Sequence, residues 1–529
     1  VYEIFLALSL VLFVLATGAT LVYSLHLLAL LVLFRRRQRA QRARQRAVID
    51  RFGKRDRNDW PMVTTQLPIY NESQVVERLI DAVAAMDYPR DRHEIQVLDD
   101  STDETRDIVD RLVDRYRDRG VDIKAVRRTD RTGYKAGALA HATESAAGKY
   151  VAIFDADFVP PENFLIGGVA LLEADSRLAC LQGRWSHLNR DDSWLTRSQA
   201  MGIDGHFAIE QGARAWNGLL MNFNGTAGVW RRESLDDSEV GGWSADTLTE
   251  DLDLSYRAQL AGWKIDYCVD LPCPAELPST PEALKAQQRR WATGSIQVAR
   301  KLLPRIWRSP LTVGQKLEAT LHLTHYSIAV FMLILAVIAR PMILVWLSDG
   351  IARTWFYGVW FMVCFMAIVP SMVYAYARYF FTGRWTGFRD IPGMMILGVG
   401  ICLNNAIAVI RGLYLRGGEF VRTPKSGSIG GRSPASRYRA VRNQLWMIEL
   451  GLGVFSAWTW VVYVSYGCRV YSIFILLYAV GFLAMGWSSR PWRRPRRFVR
   501  ARRKLRERSR RSRRSESVAP VVALESAGS

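Results

Sequence analysis

The run YVAIFDAD (150–157) ends an apolar stretch with two carboxylates, Asp155 and Asp157, two residues apart. Extended backbone points alternate side chains to one side, which suits a hard cation such as Mg2+ or Mn2+ bridging a diphosphate. A second pair, Glu250 and Asp251, falls in TLTEDLDLSYRAQLAGWK (247–264), which reads as a helix opening at Thr249. Asp251 is there a candidate general base. A transfer with inversion needs one carboxylate beside the attacking hydroxyl and a separate cation for the departing phosphate, and the two pairs divide those tasks. In QQRRW (287–291), Arg290 could neutralise a diphosphate and Trp291 offers a flat face to a sugar ring. Lys135, near a helix start in RTGYKAGALAHA, is a further phosphate candidate. Each group also has an ordinary structural use: a turn or cap for the acids, a solvated surface for the lysine, an interfacial helix for QQRRW.

Strands and helices must bring these groups together, and from Pro61 the two alternate. MVTTQLPI (62–69), EIQVLDD (94–100), DIKAV (122–126) and YVAIFDAD read as strands. Helices are expected between them at 71–86 with Asn71 as N-cap, at about 102–119 and at about 134–147. Alternation predicts a mostly parallel α/β sheet, whose ligands sit at the carboxyl ends of the strands. Tyr70–Glu72, Asp99–Asp100 and Asp155–Asp157 all follow strands and therefore converge on one edge. No P-loop or GxGxxG run accompanies them, so a nucleotide must be held by another device.

The net charge of +21 is confined to two runs, seven Arg in 35–46 and fifteen Lys or Arg against the single Glu507 in 490–514. Each abuts an apolar segment, the pattern of positive-inside topology, and the nearly neutral body between them argues against nucleic-acid binding. Six scattered cysteines without a CxxC pair point to reduced, buried thiols. Residues 1–34 are expected to be a transmembrane anchor, 35–60 a basic cytoplasmic linker and 61–315 the catalytic domain. Residues 316–416 should be transmembrane and interface helices, 417–445 a loop and interface segment, 446–489 two further transmembrane helices and 490–529 a disordered tail. Apolar segments near 319–347, 355–380, 391–416, 446–466 and 469–488 are one too many if both basic runs face the cytoplasm. The segment 391–416, interrupted by Asn404, Asn405 and Arg411, is therefore expected to lie at the membrane surface.

Taken together, the motifs resemble those of processive family-2 glycosyltransferases of the cellulose synthase and cellulose synthase-like group. PIYNE (68–72), LDDS (98–101), DAD (155–157), FNGTAG (223–228), TED (249–251), QQRRW (287–291) and FVRTPK (420–425) occur in the family's order across about 61–431. The resemblance implies a GT-A-type nucleotide-binding domain inserted between transmembrane helices. It implies that Tyr70 and Glu72 border the base, that Asp99 and Asp100 form the first Asp motif with Asp100 on the uridine, and that Asp155 and Asp157 hold metal and diphosphate. By the same resemblance Asp251, beside Glu250, deprotonates the acceptor, and Asn224, Gly225 and Thr226 form an acceptor-binding turn. Gln287, Arg290 and Trp291 would bind donor phosphates and the terminal acceptor sugar, and Thr423 and Lys425 would reach the nucleotide from a closing loop. Arg422 stands where the family's pattern has valine.

The expectation is thus an inverting hexosyltransferase that extends and secretes a β-linked polysaccharide, with Mg2+ or Mn2+ as cofactor. VLDDSTDET and FNGTAGVWR look most like the mannan- and glucan-synthase branch, with UDP-glucose the favoured donor and GDP-mannose the other. The growing glycan and membrane lipids are the remaining partners, and a bacterial inner membrane is the expected location. A non-processive transferase acting on a lipid acceptor and an inactive polysaccharide-binding scaffold are the rival readings.

Overall fold

The computed structural model describes residues 2–347, 351–418 and 444–490. Seven strands form one sheet: β1 (Val63–Ile69), β2 (His93–Asp99), β3 (Asp122–Val126), β4 (Tyr150–Ile153), β5 (Leu178–His187), β6 (Gly228–Arg231) and β7 (Lys264–Ala275). Their order is β3-β2-β1-β4-β6-β5-β7. The first four run parallel, β6 is antiparallel to both neighbours, and β5 and β7 pair in parallel. The connections carry α2 (Val76–Ala84), α3 (Thr105–Arg117), α4 (Tyr134–Glu144), α5 (Phe164–Ala174), α6 (Trp194–Gly205), α7 (Gln211–Trp216), α8 (Arg232–Asp236) and α9 (Glu250–Leu260). The sheet's apolar residues, such as Val63, Leu67, Ile95, Val97, Val151 and Ile153, are fully buried between these helices, as a parallel sheet covered on both faces requires.

Around this domain lie α1 (Tyr2–Gly53), α10 (Pro281–Arg308), α11 (Val313–Thr324), α12 (Ile328–Leu347), α13 (Ile351–Thr382), α14 (Ile391–Tyr414), α15 (Leu445–Ser465) and α16 (Arg469–Ser488). Among the described residues five helical segments are long and apolar enough to cross a membrane: 4–53, 313–345, 361–382, 385–414 and 445–465. Ser472–Ser488 is a shorter apolar helix. The protein is a membrane protein.

The basic linker expected at 35–60 is instead helix as far as Gly53, continuous with the apolar anchor. Arg, Gln and Ala are good helix formers, so nothing in 35–46 breaks the helix. The stretch docks on the sheet domain: Arg42 and Arg46 reach Asp270 at 2.7 and 2.9 Å, and Gln45 donates to the Tyr267 carbonyl at 2.9 Å. Asn71 is not the cap of α2, which begins at Val76. It sits at φ 55°, its Oδ1 accepts the Thr102 amide at 2.8 Å and its own amide donates to Ser101 Oγ at 2.9 Å, tying together the loops after β1 and β2.

Both ends of α14 are fastened to the sheet domain. Asp390, just before it, pairs with Arg190, and Gly393 faces Ser198 of α6. After its last turn, Gly417 donates to the Asp246 carbonyl at 3.0 Å, and Arg300 of α10 holds the Leu413 and Leu415 carbonyls. The two asparagines of 391–416 are buried in protein: Asn404 accepts Arg289 at 2.8 Å and donates to the Lys285 carbonyl at 3.1 Å. Lys285 also donates to Glu449 of α15 at 2.6 Å, with both side chains buried. E449A should cost about 3–5 kcal/mol by breaking a buried ion pair. The apolar pair K285M/E449L should recover most of that loss, read as thermal unfolding in detergent.

Candidate active site

At the carboxyl edge of β1, β2 and β4 one cavity gathers Tyr70, Glu72, Asp100, Lys135, Asp155, Asp157, Asn224, Gly225, Glu250, Asp251, Gln287, Arg290 and Trp291. Its floor is built by the end of β4. The strand stops at Ile153, where its pairing with Gly228 of β6 also ends, so Asp155 and Asp157 lie in a turn closed by the Phe158 amide on the Asp155 carbonyl at 3.0 Å. The expected extended geometry is therefore a turn, and both carboxylates still face the cavity. The Asp155 amide donates to Thr226 Oγ1 at 2.8 Å. Thr226 is fully buried and positions this turn from behind, so its expected contact with an acceptor is corrected.

Lys135, in the first turn of α4, extends its ammonium into the acids. It lies 2.5 Å from Asp155 Oδ1, 2.8 Å from the Gly225 carbonyl and 4.0 Å from Glu250. Burial opposes its charge, but Asp155, Glu250 and Asp251 outweigh burial and raise its pKa. Burial also pushes the Asp155 carboxyl up, with Asp157 adding to the shift and Lys135 and Arg290 opposing it. The Asp251 carboxyl is pushed up to about 7, first by burial and next by Glu250, against the pull of Lys135, the Leu252 amide and Arg290. A carboxylate near neutrality is tuned for proton transfer.

Two glycines let the elements close on this centre. Gly225, at φ 78°, turns the FNGTAG segment so tightly that a Cβ would stand 2.8 Å from Asp251 Oδ2. Gly294 of α10 abuts the TED segment, where a Cβ would lie 2.9 Å from the Thr249 amide nitrogen. It shares its helix face with Gln287, Arg290 and Trp291, which line the same cavity as Asp251. Lys301, further along α10, pairs with buried Asp253 of α9 at 2.8 Å and sets the two helices in register.

Asp99 points away from the cavity. It is buried, pairs with Arg127 at 2.9 Å and caps the Ser101 amide at 3.0 Å, so the expected donor contact is corrected to a structural one. Asp100 lines the cavity and is held by Arg128 at 2.5 Å. Thr423 and Lys425 lie outside the described residues. Sequence reading missed Trp185, from the end of β5, whose ring lies 6.3 Å from Trp291 and stacks on Phe207 at 5.1 Å. It also missed Arg131, whose guanidinium covers the Tyr70 ring, and the π-helical turn His206–Glu210, from which His206 meets Asn224 at 3.2 Å. The apolar run that opens LACLQGRWSH, a strand whose end carries an aromatic, was the available signal for Trp185.

Among the described residues no three His, Cys, Asp or Glu side chains surround a point as a metal cage would. Asp155 and Asp157 supply two carboxylates, with a lysine ammonium already seated against one of them. That donor set fits an Mg2+-like ion completed by diphosphate oxygens and water.

Residues 61–294 match the family described as glycosyltransferase like family 2. Glucomannan 4-beta-mannosyltransferase 7 of Arabidopsis thaliana is 33% identical over 446 residues, covering 81% of this chain and 77% of the relative. The chain belongs to glycosyltransferase family 2. Among the cellulose synthase-like relatives of this glycosyltransferase is also probable glucomannan 4-beta-mannosyltransferase 9 of Oryza sativa subsp. japonica, 32% identical with 81% of each chain covered. A mannosyltransferase from Pyrobaculum calidifontis, solved with GDP-Man and Mn2+, has a TM-score of 0.49 at 21% identity, covering 77% of this chain and 98% of that one. The glycosyltransferase has the GT-A-like, mostly parallel sheet domain expected, flanked by the apolar helices. Its named relatives are plant mannosyltransferases, so neither the preference for UDP-glucose nor a bacterial inner membrane is supported.

Proposed function

We propose that the glycosyltransferase moves mannose from GDP-mannose, with a divalent metal, onto the end of a β-linked mannan chain and passes the product across the membrane. The observation that carries this reading is one cavity in which Asp251 faces the Asp155–Asp157 pair across Lys135, with Trp291 beside them. The names of the relatives, glucomannan 4-beta-mannosyltransferases, support mannose as the sugar.

In this reading Asp251 accepts the proton of the acceptor hydroxyl, whose oxygen bonds to the anomeric carbon as the bond to the nucleotide diphosphate breaks on the opposite face. The configuration inverts, GDP leaves, and the proton stays on Asp251 until solvent removes it. Asp155 and Asp157 would hold the metal, which when bound neutralises the departing diphosphate. Lys135 and Arg290 add fixed positive charge where that charge develops. Trp291 and Trp185 offer rings against which the terminal sugar of the acceptor stacks. The two fastened ends of α14 support a helix lying along the membrane surface, leaving α12, α13, α15 and α16 as an even number of crossings and the catalytic domain on the cytoplasmic side.

Purified protein in detergent, given radiolabelled GDP-mannose or UDP-glucose with Mn2+ or Mg2+, should build a product cut by β-mannanase. Transfer from UDP-glucose alone, or a single sugar on lipid, would refute the reading.

A further inference from the structure

Three arginines fall in the run Arg127 to Arg131, and the first two have carboxylate partners. Arg127 pairs with Asp99 at 2.9 Å and Asp110 at 2.8 Å. Arg128 holds Asp100 at 2.5 Å and donates to the Thr132 and Tyr134 carbonyls at 2.8 and 3.0 Å. Arg131 lines the cavity. Its guanidinium carbon stands 3.2 Å from the centroid of the Tyr70 ring and 5.2 Å from that of Tyr134, and its buried Nε has no hydrogen-bond partner. No carboxylate among the described residues pairs with it.

The sheet order says which end of the cavity this is. Tyr70 follows β1, Leu98 lies near the end of β2 and Asp100 just after it, whereas the acids and Lys135 meet at β4, on the far side of β1. A nucleotide whose diphosphate lies at the β4 end therefore brings its base to the β1–β2 end. There Ile69, Leu98 and the Tyr70 ring form an apolar platform that Arg131 covers. An arginine stacked on a ring satisfies its flat face and leaves its N–H edge without acceptors. A nucleobase supplies both a π face and ring acceptors, and bases stack on aromatic rings and guanidinium planes alike.

We propose that Arg131 binds the nucleobase of the donor: the base enters between Tyr70 and Arg131, and the guanidinium moves off the tyrosine to cover the base's outer face. The inference rests on the donor reading above. The move needs only side-chain rotation, because the Arg131 backbone is held by its carbonyl on the Tyr134 amide at 3.0 Å.

Titration of full-length protein in detergent with GDP, UDP and inorganic pyrophosphate tests this without turnover. R131A should weaken GDP binding about tenfold to a hundredfold and leave pyrophosphate binding unchanged. R131F, which restores a stacking plane without charge, should recover most of the GDP affinity, and both variants should unfold at the wild-type temperature. Unchanged GDP affinity in R131A, an R131F as weak as R131A, or a parallel loss of pyrophosphate would overturn the assignment. A wild-type protein that binds neither GDP nor UDP would instead sink the donor reading itself.

Discussion

Asp251→Asn should lower kcat by about 10²–10⁴-fold, the range a positioned general base supplies, while leaving the KM for the nucleotide sugar nearly unchanged. The asparagine keeps the size of the side chain, and in the proposed reading the donor is held by other groups at Lys135, Asp155 and Arg290. The pH profile gives the sharper test. With its carboxyl pushed up to about 7 by burial and Glu250, Asp251 is protonated below that pH and cannot accept a proton. Wild-type kcat should therefore rise with pH through about 7, and the residual activity of D251N should lack that limb. Stability should move the opposite way. A carboxyl raised in the folded state favours folding most when protonated, and that contribution is lost as pH climbs from its ordinary value of 3.8 through about 7. D251N should thus match wild type in melting temperature near pH 4 and exceed it above about 7. Retained turnover with an unchanged acid limb would show that another group is the base.

Lys135→Met should be nearly as damaging, for a reason of field rather than proton transfer. Its ammonium lies 2.5 Å from Asp155 and 4.0 Å from Glu250, and it opposes the upward shift of Asp251. Without it Asp251 holds its proton more tightly, so the acid limb should move to higher pH. At pH 7.5 the loss in kcat should reach about 10²-fold through this effect together with weaker stabilisation of the departing diphosphate, and part should return by pH 9. K135R, which keeps the charge, should keep the limb near its wild-type position. A limb that stays put in K135M would separate Lys135 from the base.

The chemistry was legible because carboxylates after strands and in a helix's first turn have few places to go once the strands run parallel. The orientation of each group was not. Asp99 and Asp100 are identical neighbours, each paired with an arginine just past the next strand, Arg127 for one and Arg128 for the other, and only the fold shows that the second alone lines the cavity. Thr226 shares a motif with Asn224 and Gly225, yet its hydroxyl is spent on the Asp155 amide. Glu449 stood as a lone acid in an apolar helix, and such a residue asks for a partner. The partner, Lys285, lies 164 residues away, beyond any local pattern. Arg131 left no signal either, because an arginine in a polar loop is usually solvated.

The fusion of anchor and basic run into a single helix has its own consequence. At 52 residues α1 is about 78 Å long, and Arg42, Gln45 and Arg46 meet the sheet domain on one side of it. A rigid rod fixes rotational phase as well as height. One residue inserted near Gln38 would turn that docking side by about 100° away from Asp270, whereas seven, close to two full turns, would return it. The membrane end of α1 and the edge strand β7 are thereby geared together, and the catalytic domain has an azimuth about its anchor as well as a tether.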